Sequence, residues 1–591
     1  MKFVFFKKIL FIQICVLFYV ANSCGFFGKT LILPRSQTVN AAREIAGWQE
    51  HINDYEVGRT YWSFYMAPEY QRSWNNAQIS RFLFGCNDCF VVQGSRVANR
   101  QSDALLADYF GLPSDFESAV SVSPQITQFI WDMNFYLGLD GLCQGLYLRF
   151  HAPVVYAKWD LNLKECVKEP GTLIYPAGYM GSQSISRNQL VANFTEAMTG
   201  QFCNKNKQCG PYTWGDMENA MQYGLVYGRR NESRLSDVHI ILGYNFFNDE
   251  DYHGGLNLRI SAPAGNRPNS HYFFEPIVGN GHHWEVGAGW TSHIIFWSSA
   301  DELDYAGFWC DLNVTHLFAD TQLRSFDLCG NPGSRYILLS KLTSVVDSDV
   351  FVDGESITKQ YIGNLSPAIN QTTLDAKISM RAQVDMVAKF SVELNGVQFD
   401  LGYNFWYRSA EHLIDRACLK SGYALKGDAQ VYGFVSQDSA GFTMNQALPL
   451  NVTQHEATLI GGQGDGNFVV GSAFINANAD NPGLASDSNA NILYQLNQTD
   501  ATALSIVQQQ INGSNGPMLL TDAHIDINSA LNPHAISHKI FGNVAYTWES
   551  PQVQYAPFLA CGTELEWRCG CFKSNSAISQ WGIWAKGGLS F

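Results

Sequence analysis

Charged residues are scarce in this 591-residue sequence. They make up 15%, and acidic residues outnumber basic ones to give a formal net charge of −15. A nucleic-acid-binding protein needs a basic face, so this balance argues against nucleic acid as a partner. Apolar residues make up an ordinary 46%, which excludes a disordered chain. Aromatic residues (14%) and 51 glycines are plentiful, a combination typical of β-rich proteins.

The sequence also lacks the short motifs of common enzymes. GxSxG, HExxH and Walker-type patterns do not occur. Cys86-Asn87-Asp88-Cys89 resembles half of a zinc site, but no second half completes four ligands. His282 and His283 would point to opposite faces of a strand, so they do not suggest a metal site. We therefore predict no enzymatic activity, no cofactor and no metal.

Residues 1–23 have the features of a secretory signal peptide. Lysines precede an apolar run from Ile9 to Ala21, and Ala21-Asn22-Ser23 offers small residues for cleavage. An uncleaved anchor is the alternative, and Cys24 would suit a lipoprotein, although Asn22 makes a poor lipidation site. Export into an oxidising compartment favours disulfides. Three close cysteine pairs are candidates: Cys86/Cys89, Cys203/Cys209 and Cys569/Cys571.

No later stretch of 18 apolar residues occurs, so a spanning helix is excluded and only a closed barrel could cross a membrane. Residues 384–407 alternate apolar and polar over two strands joined by Asn395-Gly396, which favours a type I′ turn. The alternation recurs at 238–262 and 284–296. A secreted β-sandwich is the alternative. Strands beyond the usual five or six residues, with aromatic residues near their ends, favour the barrel.

The final strand alternates up to an aromatic carboxy-terminal residue. This ending is typical of the signal read by the outer-membrane assembly machinery of Gram-negative bacteria. The residues that carry it are Trp581, Ile583, Leu589 and Phe591.

Three runs carry a resemblance to a known family: Leu105–Pro113, His538–Trp548, and Ser579–Trp584 with Gly587-Gly588. They are similar to uncharacterised predicted outer-membrane proteins that host-dependent Gram-negative bacteria carry in multiple copies. The resemblance implies an outer-membrane barrel and brings no established activity.

We therefore expect an all-β protein, a transmembrane antiparallel barrel of about 14 strands, within a range of about 12–16. Its divisions would be a signal peptide (1–23), an N-terminal periplasmic segment (24–58) and the barrel (59–591). The predicted strands are 59–74, 79–96, 118–138, 143–164, 235–248, 253–265, 282–298, 303–327, 332–345, 372–394, 397–411, 534–550, 553–571 and 577–591.

Placing Phe591 on the periplasmic side assigns a side to every connection. Asn395-Gly396 and Ser550-Pro551 become periplasmic turns, and the acidic turn 249–251 falls outside. The insertion 412–533 is predicted to be a long extracellular loop. The insertion 165–234, with helix-like stretches, is predicted to be periplasmic or folded into the lumen as a plug.

The polar strand faces supply candidates for the lumen. Both charge signs occur, so strong ion selectivity is not predicted. The candidates are Arg149, His151, Arg259, Glu285, His293, Asp385, Lys389, Glu393, Asp400, Arg408, Glu564, Glu566 and Arg568. Side chains that fill the barrel by salt bridges, without conductance, are the alternative.

The leading hypothesis is a porin-like pore or solute channel. Its partners would be outer-membrane lipid and lipopolysaccharide, the outer-membrane assembly machinery, and small solutes or a host surface. The alternative is a closed surface barrel that acts as an adhesin or host-interaction protein through its long outer loop. A soluble secreted β-protein is the third hypothesis. The sequence leaves the oligomeric state open.

Overall fold

The computed structural model describes residues 28–591 except 54–57, 86–87, 176, 204–208, 250, 300–303, 344–359, 428–430, 436–445, 450–452, 454–456, 462–518, 549–554 and 571–573. The predicted signal peptide and the turn at Ser550-Pro551 lie outside the described residues.

Strands dominate the described chain. In order they are β1 (Thr60–Ser73), β2 (Cys89–Gln93), β3 (Leu105–Leu106), β4 (Glu117–Ser121), β5 (Gln125–Leu139), β6 (Leu146–His151), β7 (Val154–Asp160), β8 (Lys164–Glu169), β9 (Gln201–Cys203), β10 (Cys209–Pro211), β11 (Arg229–Leu235), β12 (Val238–Asn248), β13 (Tyr252–Ala262), β14 (Glu285–Ser298), β15 (Tyr305–Ser325), β16 (Asp327–Leu328), β17 (Leu338–Thr343), β18 (Gln360–Pro367), β19 (Thr373–Leu394), β20 (Val397–Arg408), β21 (Glu411–Arg416), β22 (Tyr423–Leu425), β23 (Tyr432–Val435), β24 (Gln446–Pro449), β25 (Ile525–Asp526), β26 (Ala535–Thr547), β27 (Ala556–Arg568) and β28 (Gln580–Ser590).

The helices are short. The α-helices are α1 (Ala41–Ile45), α2 (Asn76–Phe84), α3 (Phe194–Met198), α4 (Ile369–Thr372) and α5 (Ile527–Ala530). Single 3₁₀ turns lie at Gln49–His51, Ala107–Phe110, Arg187–Gln189, Ser334–Tyr336 and Asp522–His524. No helix in the described part of the chain is long and apolar enough to cross a membrane.

Twelve strands close into an antiparallel barrel in the order β1-β5-β6-β12-β13-β14-β15-β19-β20-β26-β27-β28. β1 pairs with both β5 and β28, so the ring has no free edge. β7, β11 and β21 continue β6, β12 and β20 beyond short interruptions. Pro153, which has no N–H to donate, lies in the break between β6 and β7. The predicted antiparallel barrel is confirmed, and its strand number is the lower end of the predicted range.

Two of the fourteen predicted strands are not in the ring. Residues 79–96 contain most of α2 and the short β2. The Asn75 side chain caps α2 by accepting a hydrogen bond from Gln78 N, and Gly85 ends the helix in the left-handed conformation. The strand prediction for 79–96 did not take these helix signals into account. Residues 332–345 contain β17, which pairs with β18 and β22 in a separate small sheet.

Strand alternation produces two chemically different barrel faces. Asn395 and Gly396 both have positive φ, as the predicted type I′ turn requires, and register β19 against β20. Leu401 on the outer face is 68% exposed, whereas Lys389 on the inner face is fully buried. Large apolar side chains that are exposed on the outer face include Phe129, Leu242, Leu256, Leu258, Ile294, Phe390, Phe399, Ile540, Leu559 and Ile583. This outer belt suits contact with hydrocarbon.

The two ends of the barrel carry different connections. At the end that holds Phe591, strands are joined by short segments: 140–145, 249–251, 299–304, 395–396 and 548–555. The opposite end carries 74–124, 161–228, 263–284, 326–372, 417–534 and 569–579. We call these the short-turn end and the long-loop end.

The prediction for 165–234 is therefore wrong in position, since this insertion lies at the long-loop end rather than beside Phe591 or in the lumen. The turn 249–251 lies at the short-turn end, again opposite to the prediction. One error explains both: the surplus strand 332–345 inverted the alternation of every strand before it, until the surplus strand 79–96 restored it. The insertion 412–533 leaves from the long-loop end, opposite Phe591, and its extracellular position stays a prediction.

The described parts of the long loops pack over the barrel as a cap with its own hydrophobic core. Representative members are Leu106, Phe116, Tyr179, Phe274 and Leu339. The predicted pair Cys203/Cys209 forms a disulfide that links β9 and β10 in this cap. Cys89 and Cys569 are free thiols, and their predicted partners lie outside the described residues.

Candidate functional site: a plugged barrel lumen

The lumen is occupied by the chain's own N-terminal segment, residues 28–53, which we call the plug. At the long-loop end, Lys29 donates to the Asn528 carbonyl. At the short-turn end, His51 Nδ1 lies 3.0 Å from Ser590 Oγ. The segment thus runs through the barrel from end to end. It therefore lies in the lumen and not in the predicted periplasmic position, because its polar side chains match polar groups of the barrel wall.

The middle of the plug is the short helix α1. Asn40 Oδ1 accepts from Arg43 N at the first turn. Ala41, Ala42 and Ala46 pack against the aromatic side chains of Trp309, Phe541 and Trp584 of the wall. Small side chains are required here because the wall side chains already fill much of the space. Lys586 of β28 donates to the Arg43 and Ala46 carbonyls, each at 2.6 Å, where the helix leaves carbonyls unpaired.

Arg35 ties the plug to three strands. Its Nη2 lies 2.8 Å from Asp385 Oδ1 of β19, and its Nη1 lies 2.9 Å from Asn404 Oδ1 of β20. Glu566 of β27 is 3.4 Å away. The guanidinium also lies 5.5 Å from the centre of the Trp406 ring. A planar guanidinium can bond several acceptors at once, so Arg35 anchors the part of the plug that lies towards the long-loop end.

Arg43 is the second anchor and is completely buried. Its Nε donates to Asp132 Oδ2 at 2.8 Å, and Nη1 contacts the Glu69 carboxylate. Nη2 donates to the Gln37 carbonyl at 2.8 Å. Buried charges persist only when they are paired and hydrogen-bonded, and this guanidinium meets both conditions.

Glu44 points the other way from the same helix. Its Oε2 lies 2.6 Å from Arg149 Nη2, and its Oε1 lies 3.6 Å from His151 Nδ1. His151 Nε2 in turn lies 2.5 Å from Asp132 Oδ1. Arg43 and Glu44 of α1 are therefore joined through Asp132 and His151 of the wall by a continuous network of ionisable groups.

The part of the plug that lies towards the short-turn end is held by aromatic and backbone contacts. Trp48 Nε1 donates to Ser63 Oγ at 2.7 Å, and its ring meets Tyr65 edge to face at 4.6 Å. Gly47 N donates to Asp400 Oδ2 at 2.8 Å. Gly47 has φ of +59°, and a Cβ there would lie 2.7 Å from Asn543 Nδ2, so glycine is needed for both conformation and space.

Aromatic side chains that lie over glycines of the neighbouring strand line the lumen. Tyr61 lies over its cross-strand partner Gly138, and Tyr147 lies over Gly243 in the same manner. Further pairs are Phe541 over Gly402, Trp584 over Gly562 and Phe558 over Gly588. Each glycine leaves room for a ring that then lies flat on the wall instead of projecting to the axis.

The structure places all thirteen predicted lumen residues on the inner side or rim of the barrel. Those that bond directly to the plug are Arg149, Asp385, Asp400, Arg408, Glu564 and Glu566. His151 only approaches it, with Nδ1 3.6 Å from Glu44 Oε1. Lys389 pairs with Asp400, Glu285 accepts from Asn280 and Thr315, and His293 contacts His253. Arg259 makes no ion pair among the described residues, Glu393 borders Glu50, and Arg568 bonds the Asn575 carbonyl at the long-loop end.

Sequence reasoning missed the residues that hold the plug. They are Arg35, Arg43 and Glu44 on the plug, and Glu69, Asp132, Asn404, Lys539 and Lys586 on the wall. The available signal was a charged segment directly before the first strand. Of the assembly-signal residues, Ile583, Leu589 and Phe591 are exposed on the outer face, and Trp581 is half-buried.

No group of three or more metal-ligating side chains occurs in the part of the chain that the structure describes. The site is an arrangement of ion pairs and hydrogen bonds. It can hold the plug in the lumen, or it can bind a charged solute if the plug moves.

A closed barrel with an apolar outer belt and a polar interior defines the class of outer-membrane β-barrel proteins. Comparison with family models and with curated proteins finds no match. Among solved structures, an outer-membrane channel of Pseudomonas putida F1 is similar at 8% identity and a TM-score of 0.28, covering 91% of this chain and 98% of that one. A Pseudomonas aeruginosa FadL homologue is similar at 7% identity and a TM-score of 0.25, covering 96% and 99%. The closed barrel is established by the strand pairing of this chain itself.

Proposed function

We propose that the protein is an outer-membrane solute channel whose lumen is closed by the plug in this conformation. The observation that carries the proposal is that the barrel is filled by a separate segment held through side-chain bonds. A barrel of about eight strands is filled by wall side chains or holds one small ligand, and barrels of about 16–18 strands leave an aqueous channel. Twelve strands enclose a space of intermediate size, and here a displaceable segment fills it.

The long-loop end faces outward in this proposal, because outer-membrane barrels have short periplasmic turns and longer extracellular loops. The thirteen inner residues and the plug would line the path of the solute. The partners would be outer-membrane lipid, lipopolysaccharide, the assembly machinery and a small solute. No catalytic role is proposed.

Planar-bilayer recording of the refolded protein tests the channel. Wild type should show low conductance with rare openings. Arg35→Gln/Glu44→Gln, which weakens two plug anchors, should raise the mean conductance at least tenfold, and deletion of residues 29–53 should give a permanently open state. Arg234→Gln, on the exposed part of β11, is the matched control and should behave like wild type. A deletion variant that keeps heat-modifiable gel mobility but never conducts contradicts the proposal.

The filled lumen and the packed cap favour one second candidate, a closed surface barrel that binds host structures through its long outer loop. Replacing residues 462–518 by a short glycine-serine linker should then abolish host-cell binding while gel mobility stays heat-modifiable. Unchanged binding removes this candidate.

A further inference from the structure

Four basic side chains stand together on the inner wall opposite Glu44. Arg149 of β6 and Arg259 of β13 are both registered against Ile241 of β12, one on each side. One row nearer the long-loop end, His151 and Ser261 flank His239 in the same way. Because residues in register share a height in an antiparallel sheet, these side chains form a compact group. We call Arg149, His151, His239 and Arg259 the basic cluster.

The plug satisfies only part of the basic cluster. Glu44 pairs with Arg149 at 2.6 Å and approaches His151 at 3.6 Å. Arg259 and His239 act electrostatically on Glu44 without bonding to it. Arg259 therefore makes no ion pair with a carboxylate among the described residues, although Asp311 and Glu285 also interact with it electrostatically. Two guanidinium groups could together hold more negative charge than the Glu44 side chain supplies.

Unpaired polar atoms mark the same place. Both ring nitrogens of His239, Nε of Arg259 and Oγ of Ser261 are buried and have no hydrogen-bond partner. His239 is only 1% exposed. Buried polar groups without partners are rare and costly, so several on adjacent strands indicate that a polar molecule belongs among them. Glu285 does not serve, because it is bonded to Asn280 and Thr315.

We propose that the basic cluster binds the carboxylate group of a small organic acid, and that Glu44 occupies part of this site while the channel is closed. The inference rests on the proposed function and names its substrate class. Guanidinium groups bind carboxylates through paired, charge-assisted hydrogen bonds, and Arg259, which makes no ion pair among the described residues, is available for a second carboxylate. A carboxylate solute thus competes with Glu44 of the plug for the basic cluster.

Acetate tests the site because it is the chemical equivalent of the end of the Glu44 side chain. Glu44→Ala in the full-length protein should lower the temperature at which heat-modifiable mobility is lost. Sodium acetate should then raise that temperature more than sodium chloride at equal ionic strength. In Glu44→Ala/Arg259→Gln, the acetate concentration for half-maximal recovery should rise at least tenfold.

Glu50→Ala is the matched control, since Glu50 lies on the same plug and contacts the Tyr305 hydroxyl rather than an arginine. Sodium acetate should not raise the temperature at which Glu50→Ala loses heat-modifiable mobility more than sodium chloride does. If Glu44→Ala fails to fold, radiolabelled acetate binding to wild type and to Arg259→Gln replaces the thermal measurement, with saturable binding expected only in wild type.

Equal effects of acetate and chloride on Glu44→Ala, or full recovery without Arg259, overturn the site. That result leaves the channel intact if the plug-deletion variant conducts. Conversely, acetate recovery in a barrel that never conducts removes the channel and keeps the binding site.

Discussion

At the scale of single residues, the lumen depends on charges that are buried in pairs. Arg43, Glu69 and Asp132 are fully buried together. Replacing a whole buried ion group by apolar side chains can be neutral, but removing one partner leaves an uncompensated charge. The stability of the plug therefore rests on complete groups rather than on single contacts.

Arg43→Met should lower the free energy of unfolding by about 3–5 kcal/mol, because it leaves the buried carboxylates of Glu69 and Asp132 without their guanidinium partner. Arg43→Met/Glu69→Gln/Asp132→Asn should recover part of that loss. Urea unfolding in detergent, followed by tryptophan fluorescence, measures both. Arg234→Met, on the exposed β11, should change stability by less than about 0.5 kcal/mol. An equally small effect of Arg43→Met would show that the plug is not held through this residue.

Glu275 gives the cap a pH dependence. It is buried in segment 263–284 and accepts from Asn269 N at 2.9 Å. Burial raises the pKa of Glu275 to about 7 from its ordinary 4.5. Because the folded pKa is the higher one, the stability contribution is complete below pH 4.5 and is lost as the pH rises through about 7.

The temperature at which heat-modifiable mobility is lost should thus be higher at pH 5 than at pH 8, with a Glu275 contribution on the order of 2 kcal/mol. Glu275→Gln should flatten this dependence. A variant with the same pH profile as wild type would assign the effect to other groups.

At the scale of elements, neighbouring strands pack together because aromatic rings of one strand lie over glycines of the next. A Cβ at Gly562 would lie 2.3 Å from the Trp584 ring, whereas a Cβ at Gly570 meets nothing within 4 Å. Such pairs explain why so many glycines occur within strands, where they normally cost stability.

Gly562→Ala should destabilise the barrel by about 1–3 kcal/mol, because Trp584 has to move into an already filled lumen. Gly570→Ala, which lies just beyond the same strand, is its matched control and should be nearly neutral. The midpoints of urea unfolding compare the two. Equal midpoints would mean that the ring adapts without cost.

At the scale of the whole molecule, the strands are joined by short turns at one end of the barrel, and the other end carries the cap. Exposed free cysteines mark both ends: Cys143 at the short-turn end, and Cys166 and Cys418 at the long-loop end. They allow the orientation in the membrane to be read without any substitution.

A membrane-impermeant maleimide on intact cells should label Cys166 and Cys418 but leave Cys143 unlabelled, as mass spectrometry of the peptides would show. The physical reason is that the outer membrane shields the short-turn end from the reagent. Permeabilised cells serve as the control, in which all three should react. Labelling of Cys143 alone on intact cells would reverse the proposed orientation.

The sequence by itself determined the barrel, its two faces and the hairpin at Asn395-Gly396. Period-two alternation and a turn that needs positive φ are local properties, so they can be read from neighbouring residues. The inner position of Asp385, Lys389 and Asp400 followed from the same alternation.

Only the tertiary structure decided what fills the lumen and which end each loop occupies. Arg35 and Asp385 are separated by 350 residues in sequence, and nothing local pairs them. The sequence of the plug has no periodic pattern from which its conformation could be predicted. Wall groups from many strands impose that conformation. The surplus strand 332–345 had a plausible local pattern, and its exclusion from the ring depends on pairing with β18 and β22 rather than on its own residues.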